Sequence, residues 1–384
     1  MLDITSKYNL KNLDPKWDNK KMQYDLSRYN WPEKFLNAAQ EKFPQITDLT
    51  KIHEVLSTSD LIGLRHHIES YTRSEEFSAD VDKFVEEIFR DKLGNDRYPS
   101  EYLVQYTAGV RIVVPDQAKI NRLLNFHNGF WTGYDNGTNT IWTPITDAYD
   151  TNTMYVTDWD TSHKLIDKIH HEKWGIDKIQ SECEKVSWPI DVKVGECWLF
   201  GQGHLHGNVN NETGRTRMSF DVRMPHKTVD FGRRKPGSFY RIPNQYDQLD
   251  KSDIDYDRNW LVFTNPNDEY ISTAPYFMIR EYVLNWCRTQ GIKPKEWTNE
   301  FHHCDWMPKL FDFISRENTG IVFPSIYNFS IPVEERIDLF QKALDDGCQL
   351  LFCDENLLLK TPKHIDTIKT YYDFYYNDAY HSHR

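Results

Sequence analysis

Two histidines and an arginine–serine pair are set apart by their order and spacing. His127 lies in Asn125-Phe-His127-Asn-Gly129-Phe-Trp131, and His206 lies in Phe200-Gly-Gln-Gly-His204-Leu-His206-Gly207-Asn208. Arg217 follows His206 by eleven residues and is itself followed by Ser219 in an Arg-x-Ser pattern. Neutral imidazole is the commonest side-chain metal ligand, so two histidines from distant segments suit a metal held between two strands. Side chains two apart on a strand share a face, so the Arg217 guanidinium and the Ser219 hydroxyl can grip one carboxylate together. The chain has 15 histidines, and a single one is more often a hydrogen-bonded core or surface residue than a ligand; order and spacing lift this set. His204 competes with His206, since both would share a strand face. The Gly-Asn continuation and the distance to Arg217 favour His206.

Two histidines and one carboxylate on one face of a metal, with positions left open, mark non-haem Fe(II) oxygenases. In sequence the first histidine then stands in His-x-Asp or His-x-Glu, the second lies far downstream, and a later basic residue holds the distal carboxylate of 2-oxoglutarate. Here the acid is missing, because the first histidine stands in His127-Asn128-Gly129. Asn139 and Trp142 follow on the next strand and are candidates to line the 2-oxoglutarate pocket, packing in the barrel being the competing reading. Trp131 would shape the substrate mouth or simply be buried.

These residues need a β-rich frame. Over residues 100–225 short β-prone runs occur at Tyr102–Tyr106, Val110–Val114, Asn139–Pro144, Thr153–Val156, Val192–Val194, Cys197–Phe200 and Met218–Arg223, separated by turns such as Tyr134-Asp-Asn-Gly137 and Asn210-Asn-Glu-Thr-Gly214. Many short strands with regular turns imply a sandwich or barrel. Before them, Trp31–Phe43, Ile52–Tyr71 and Ala79–Leu93 carry apolar residues at helical spacing. The expected fold is mainly β, a double-stranded β-helix or jelly roll with flanking helices over residues 1–240. A polar linker is expected over 226–258, and a small parallel α/β domain over 258–384. In that domain Leu261–Thr264, Gly320–Pro324 and Gln349–Cys353 read as strands. Ala274–Thr289, Val333–Asp346 and a segment from Thr361 read as helices.

Composition narrows the function. With 46 basic against 58 acidic residues the net charge is −12, which argues against nucleic acid as the partner. The 12 Trp, 22 Tyr and 21 Phe suit a large core and pockets that stack on planar ligands. No run reaches the length of a membrane span, and residues 1–21 lack the apolar stretch of a signal peptide. The six cysteines have no paired spacing and read as free thiols in a reducing compartment, from which a cytoplasmic location is expected. His302-His-Cys-Asp305 lacks a partner cluster and reads as a loop. His163, His170 and His171 read as solvated, and His381 and His383 as a frayed tail. The α/β domain shows no nucleotide-binding glycine pattern, and Ser325 after a strand is weak evidence of a site.

Taken together, His127-x-x-x-Trp131-x-Gly133, Trp142-x-Pro144, Thr153-Met-Tyr155, His206-Gly-Asn208, Thr216-Arg217-x-Ser219 and Arg223 resemble the sporadic carbohydrate cluster 2-oxoglutarate/Fe(II) oxygenases, relatives of the phytanoyl-CoA dioxygenase group. The Tyr270-Ile-Ser, Arg280-Glu-Tyr and Gly320-Ile-Val-Phe segments are similar to small α/β proteins of the same kind of gene cluster. The resemblance implies Fe(II), 2-oxoglutarate and O2 as cofactors, and a small-molecule substrate related to a sugar, sugar-nucleotide or surface glycan. His127 and His206 would bind the metal; Arg217 and Ser219, with Asn139, would bind 2-oxoglutarate.

The departure at Gly129 resembles the halogenases of this superfamily, in which a small residue leaves a metal position to chloride or bromide. Three readings compete: halogenation with Gly129 at the halide position, hydroxylation or desaturation with a substitute carboxylate such as Asp135, and loss of catalysis. The first is preferred, with chloride as the expected halide. A non-catalytic sugar-binding jelly roll is the alternative of a different class.

Overall fold

Alternation along one strand decides how the first part of the chain is layered. In β9 (Arg217–Pro225), Met218, Phe220, Val222 and Met224 face a large apolar core. Period-two geometry therefore turns Arg217, Ser219, Asp221 and Arg223 to the other side. β9 lies in a five-stranded antiparallel sheet of order β1-β7-β4-β9-β3. Its other strands are β1 (Lys20–Gln23), β3 (Gly109–Val113), β4 (Thr138–Pro144) and β7 (Glu196–Gly201). Helices α1 (Trp31–Lys42), α2 (Thr58–Tyr71) and α3 (Glu75–Glu86) cover the apolar face. There Phe220 meets Trp31, Phe35 and Phe77 at ring distances of 5.4, 5.6 and 5.7 Å.

The polar face looks into the molecule. A three-stranded antiparallel sheet of order β6-β5-β8 is built from β5 (Tyr155–Val156), β6 (Trp188–Pro189) and β8 (His206–Gly207). Trp142 and Phe200 of the large sheet pack with Val156 of the small one and with Met154, Ile190 and Val192, so the two sheets enclose a second core. The connection from β5 to β6 carries α4 (Trp159–Glu172) and α5 (Ile176–Glu184).

The computed structural model describes residues 19–116, 124–135, 137–245, 249–266, 276–301, 304 and 306–376. It divides into one compact unit running to Lys235 with Phe239–Asn244 added, and another made of Pro236–Ser238 and the chain from Gln245. Mainly β is too narrow a description of the first unit, since α1 to α5 alone hold more residues than the strands of both sheets. The expected helix over Ile52–Tyr71 is broken. Ser57 accepts a hydrogen bond from the Asp60 backbone N–H and closes a capping box with the Asp60 side chain, which starts α2 at Thr58. The expected linker is also partly structured. Tyr240–Arg241 forms β10, which pairs with β2 (Val104–Gln105), because the Arg241 guanidinium meets the Asp82 carboxylate at 2.6 Å in a site where both are 1% exposed.

In the second unit the sheet order is β12-β11-β13-β14-β15, from β11 (Asn259–Thr264), β12 (Glu296–Asn299), β13 (Thr319–Phe323), β14 (Gln349–Phe352) and β15 (Leu357–Leu359). All pairs are parallel except β14 with β15. Helices α6 (Tyr276–Gln290), α7 (Pro308–Ile314), α8 (Val333–Asp345) and α9 (Pro362–Tyr375) connect or follow these strands. β12, α7 and β15 have no counterpart in the pattern read from sequence. All six cysteines are free and buried, and among the described residues no helix is long and apolar enough to cross a membrane.

Candidate metal and carboxylate site

His127 and His206 come from segments 79 residues apart and meet as directly opposed partners in an antiparallel bridge. Each backbone N–H donates to the other's carbonyl at 2.9 Å, and the imidazole centroids are 4.5 Å apart. The close approach of the two chains is permitted by Gly207, where a Cβ would sit 2.7 Å from the Phe126 backbone. Both rings are oriented alike. Nδ1 of His127 lies 2.9 Å from the Asn125 carbonyl, and Nδ1 of His206 lies 2.9 Å from the His204 carbonyl. A carbonyl only accepts, so each Nδ1 carries the proton and each neutral ring keeps its lone pair on Nε2. Burial lowers the His127 pKa. Burial, followed by repulsion from His127, takes His206 well below its usual value. Two neutral imidazoles with free Nε2 atoms are a donor set suited to a divalent transition metal.

His204 is engaged elsewhere. Its Nδ1 lies 2.9 Å from the Thr157 carbonyl and 3.1 Å from the Asn19 amide nitrogen, and its ring meets Trp159 edge-on.

Arg217 and Ser219 lie on the inner face of β9, as their spacing predicts. Arg217 is 1% exposed, yet Nε and Nη1 have no hydrogen-bond partner, and neither does the buried Ser219 Oγ. The guanidinium carbon is 5.3 Å from the centre of the Trp142 ring. Arg111, directly opposite Ser219 across the β3–β9 pairing, adds a second positive charge. Burial and then repulsion from Arg111 lower the Arg217 pKa. A buried cation with orphaned donors is costly unless an anion completes it, and a carboxylate would satisfy Arg217 and Ser219 together. Further along the same face Arg223 is paired with Asp221 and lies over the Tyr134 ring at 4.3 Å.

Two expectations change. Asn139 is directly opposed to Met224 and Gly201, on the face of β4 that also carries the helix-side core residue Ile141. It therefore points away from Arg217 and Ser219 and does not line their pocket. Gly129 is not on a strand with His127, since its backbone is α-helical (φ −66°, ψ −31°) at the start of the short 3-10 helix Phe130–Thr132. The room beside it is filled as well, because a Cβ there would lie 2.0 Å from the Gln202 amide oxygen. Gln202 carried no signal in the sequence beyond its flanking glycines.

Among the described residues no group of three His, Cys, Asp or Glu side chains is assembled that could hold a metal. Asp135 forms a turn, accepting the Gly137 backbone N–H at 3.2 Å. Trp131 is half-buried against the α4–α5 cluster. His163 packs on Trp159 at 4.0 Å, whereas His170 and His171 are exposed. His302, His303, Asp305, His381 and His383 lie outside the described residues.

No protein-family model matches the chain, and no curated protein matches it. Several of the solved structures similar to it carry titles of non-heme enzymes. The nickel complex of the non-heme monooxygenase ThoJ is 15% identical over 56% of this chain and 76% of its own, with a TM-score of 0.36. The non-heme alpha ketoglutarate dependent epimerase SnoN from nogalamycin biosynthesis is 12% identical over 64% and 92%, with a TM-score of 0.33. EctD from S. alaskensis, in its apoform, is 13% identical over 60% and 82%, with a TM-score of 0.33.

Proposed function

We infer that the first unit is an Fe(II)- and 2-oxoglutarate-dependent enzyme that functionalises a C–H bond of a small, carbohydrate-related molecule. The observation that carries this reading is the pairing of His127 and His206, both with Nε2 free, beside the same inter-sheet cluster as the orphaned Arg217 and Ser219 donors, since the His206 ring packs on Phe200 and the Arg217 guanidinium on Trp142. The histidines would hold the metal, and Arg217 with Ser219 would hold the distal carboxylate of 2-oxoglutarate. Bound Fe(II) with 2-oxoglutarate and O2 supplies an oxidant strong enough to remove hydrogen from carbon, releasing succinate and CO2. The protein's part is to orient both partners and to exclude water from the space between the sheets.

Two outcomes balance. In halogenation, R–H, chloride, a proton, 2-oxoglutarate and O2 give R–Cl, succinate, CO2 and water. In hydroxylation, R–H, 2-oxoglutarate and O2 give R–OH, succinate and CO2. The absence of an acidic third ligand among the described residues supports halogenation with chloride. The Gln202 amide oxygen beside Gly129 supports hydroxylation, with Gln202 rather than Asp135 as the substitute oxygen donor. Anaerobic addition of Fe(II) and then 2-oxoglutarate tests the common core. A weak visible charge-transfer band that depends on both, and is lost in His206→Ala, is expected; no band in the native protein would leave a non-catalytic jelly roll.

A further inference from the structure

Gln202 lies against Gly129, the position at which the acid of a His-x-Asp pattern would stand. It sits in the turn from β7 to β8, four residues before His206, and is 2% exposed. Its backbone carbonyl accepts the Gly129 N–H at 2.8 Å, so the turn and the Gly129 segment are tied together. Its side chain then lies across Gly129. A Cβ at 129 would meet Oε1 at 2.0 Å, Cβ at 2.7 Å and Cδ at 2.8 Å. Gly129 has a negative φ, so any L-residue could adopt its backbone; glycine is required by this approach alone.

The orientation of the amide is fixed by its partners. Nε2 donates to the Thr138 carbonyl at 3.1 Å and to Thr140 Oγ1 at 2.7 Å. Since a backbone carbonyl cannot donate, the nitrogen must face Thr138 and the oxygen must face Gly129. Both described hydrogen bonds of the side chain run through Nε2, which leaves Oε1 as the acceptor turned to Gly129. A nearly buried acceptor favours a cation and repels an anion. The space beside Gly129 therefore suits a metal ion's third oxygen contact better than it suits chloride.

We propose that Gln202 supplies a neutral amide oxygen as the third protein contact to the metal held by His127 and His206, in the role a carboxylate has elsewhere. This rests on the reading of the histidine pair as a metal site, and it selects hydroxylation or desaturation over halogen transfer. The native Fe(II)/2-oxoglutarate complex then leaves no protein-side vacancy for chloride.

The test is anaerobic metal titration, together with the Fe(II)/2-oxoglutarate band recorded with and without chloride. It uses the native chain, Gln202→Ala, and Gln202→Met, which keeps the bulk without the oxygen. Expected are a native band indifferent to chloride, Fe(II) affinity lowered roughly tenfold or more in both variants, and a chloride-dependent shift that appears only in Gln202→Ala. Gln202→Glu should bind Fe(II) at least as tightly as the native protein. A native band that shifts with chloride, with unchanged affinity in Gln202→Met, would overturn the proposal and leave halogenation standing. Absence of the band from every form, the native included, would overturn the metal reading itself and Gln202's role with it.

Discussion

At the scale of single residues, the face on which a side chain lies decides what it can do. Arg217 and Ser219 were legible in the sequence because period-two spacing fixes their common face whatever the sheet around them. Asn139 was not, because one step of register separates the barrel interior from the helix-covered core, and β4 carries apolar or polar residues on both faces without clear alternation. Gln202 was invisible for another reason. Its place beside Gly129 arises from a turn 73 residues away in sequence, and no local pattern encodes such an approach. Three outcomes follow. Arg217→Ala should weaken 2-oxoglutarate binding by about 2–5 kcal/mol, the range for truncating one side of a buried charged pair, with Fe(II) affinity nearly unchanged. Isothermal titration separates the two, and unchanged co-substrate affinity would move the anchor to Arg111. His206→Ala should abolish metal binding, whereas His204→Ala should retain it and lose stability through its Thr157 contact. Gly129→Asp, whose Cβ would lie 2.7 Å from the Gln202 Cβ as well as against its amide, should destabilise the fold unless combined with Gln202→Gly. The double variant is the form expected to hold metal through two histidines and a carboxylate.

Among the elements, alternation is legible only in strands long enough to hold it, although the two-residue β2 and β5 also fall within the β-prone runs Tyr102–Tyr106 and Thr153–Val156. β9 shows it most fully, with apolar Met218, Phe220, Val222 and Met224 against polar Arg217, Ser219, Asp221 and Arg223. The two-residue strands β6 and β8 have no period to read and exist because their neighbours pair with them. β8 nevertheless delivers His206, and it does so through Gly207. Gly207→Ala would press a methyl group onto the Phe126 backbone, which cannot rotate away as a side chain does. Overpacking of this kind typically costs about 1–3 kcal/mol. The strain should open the His127–His206 bridge and reduce metal affinity well beyond its effect on the melting of the helical layer, which circular dichroism and metal titration would resolve. Equal loss in both would mean that Gly207 supports the fold rather than the site.

For the whole molecule, the two units differ in what burial does to their charged groups. In the first, Arg217 is buried with unpaired donors; in the second, the acid Glu355 is buried. Glu355 follows β14 in the segment Cys353-Asp354-Glu355 and is 5% exposed. It accepts hydrogen bonds from Ser325 Oγ at 2.7 Å and from the Ile326 N–H at 3.1 Å. Burial, and then the neighbouring Asp354 charge, raise its pKa from 4.5 to about 8. The folded unit thus holds a proton near neutrality that the unfolded chain has released. Stability changes with pH according to the difference in protons bound by the two states, and here the native state binds more. The contribution is complete below pH 4.5 and is lost as pH rises through about 8. Glu355→Gln keeps the side chain's length and an acceptor for the Ile326 N–H while removing the titration. Hydrogen exchange over residues 349–359 should therefore quicken in the native protein between pH 6 and pH 9, after correction for intrinsic exchange, and should change far less in the Gln variant. Parallel pH dependence in both proteins would assign the effect to another group and leave Glu355 charged in the folded state.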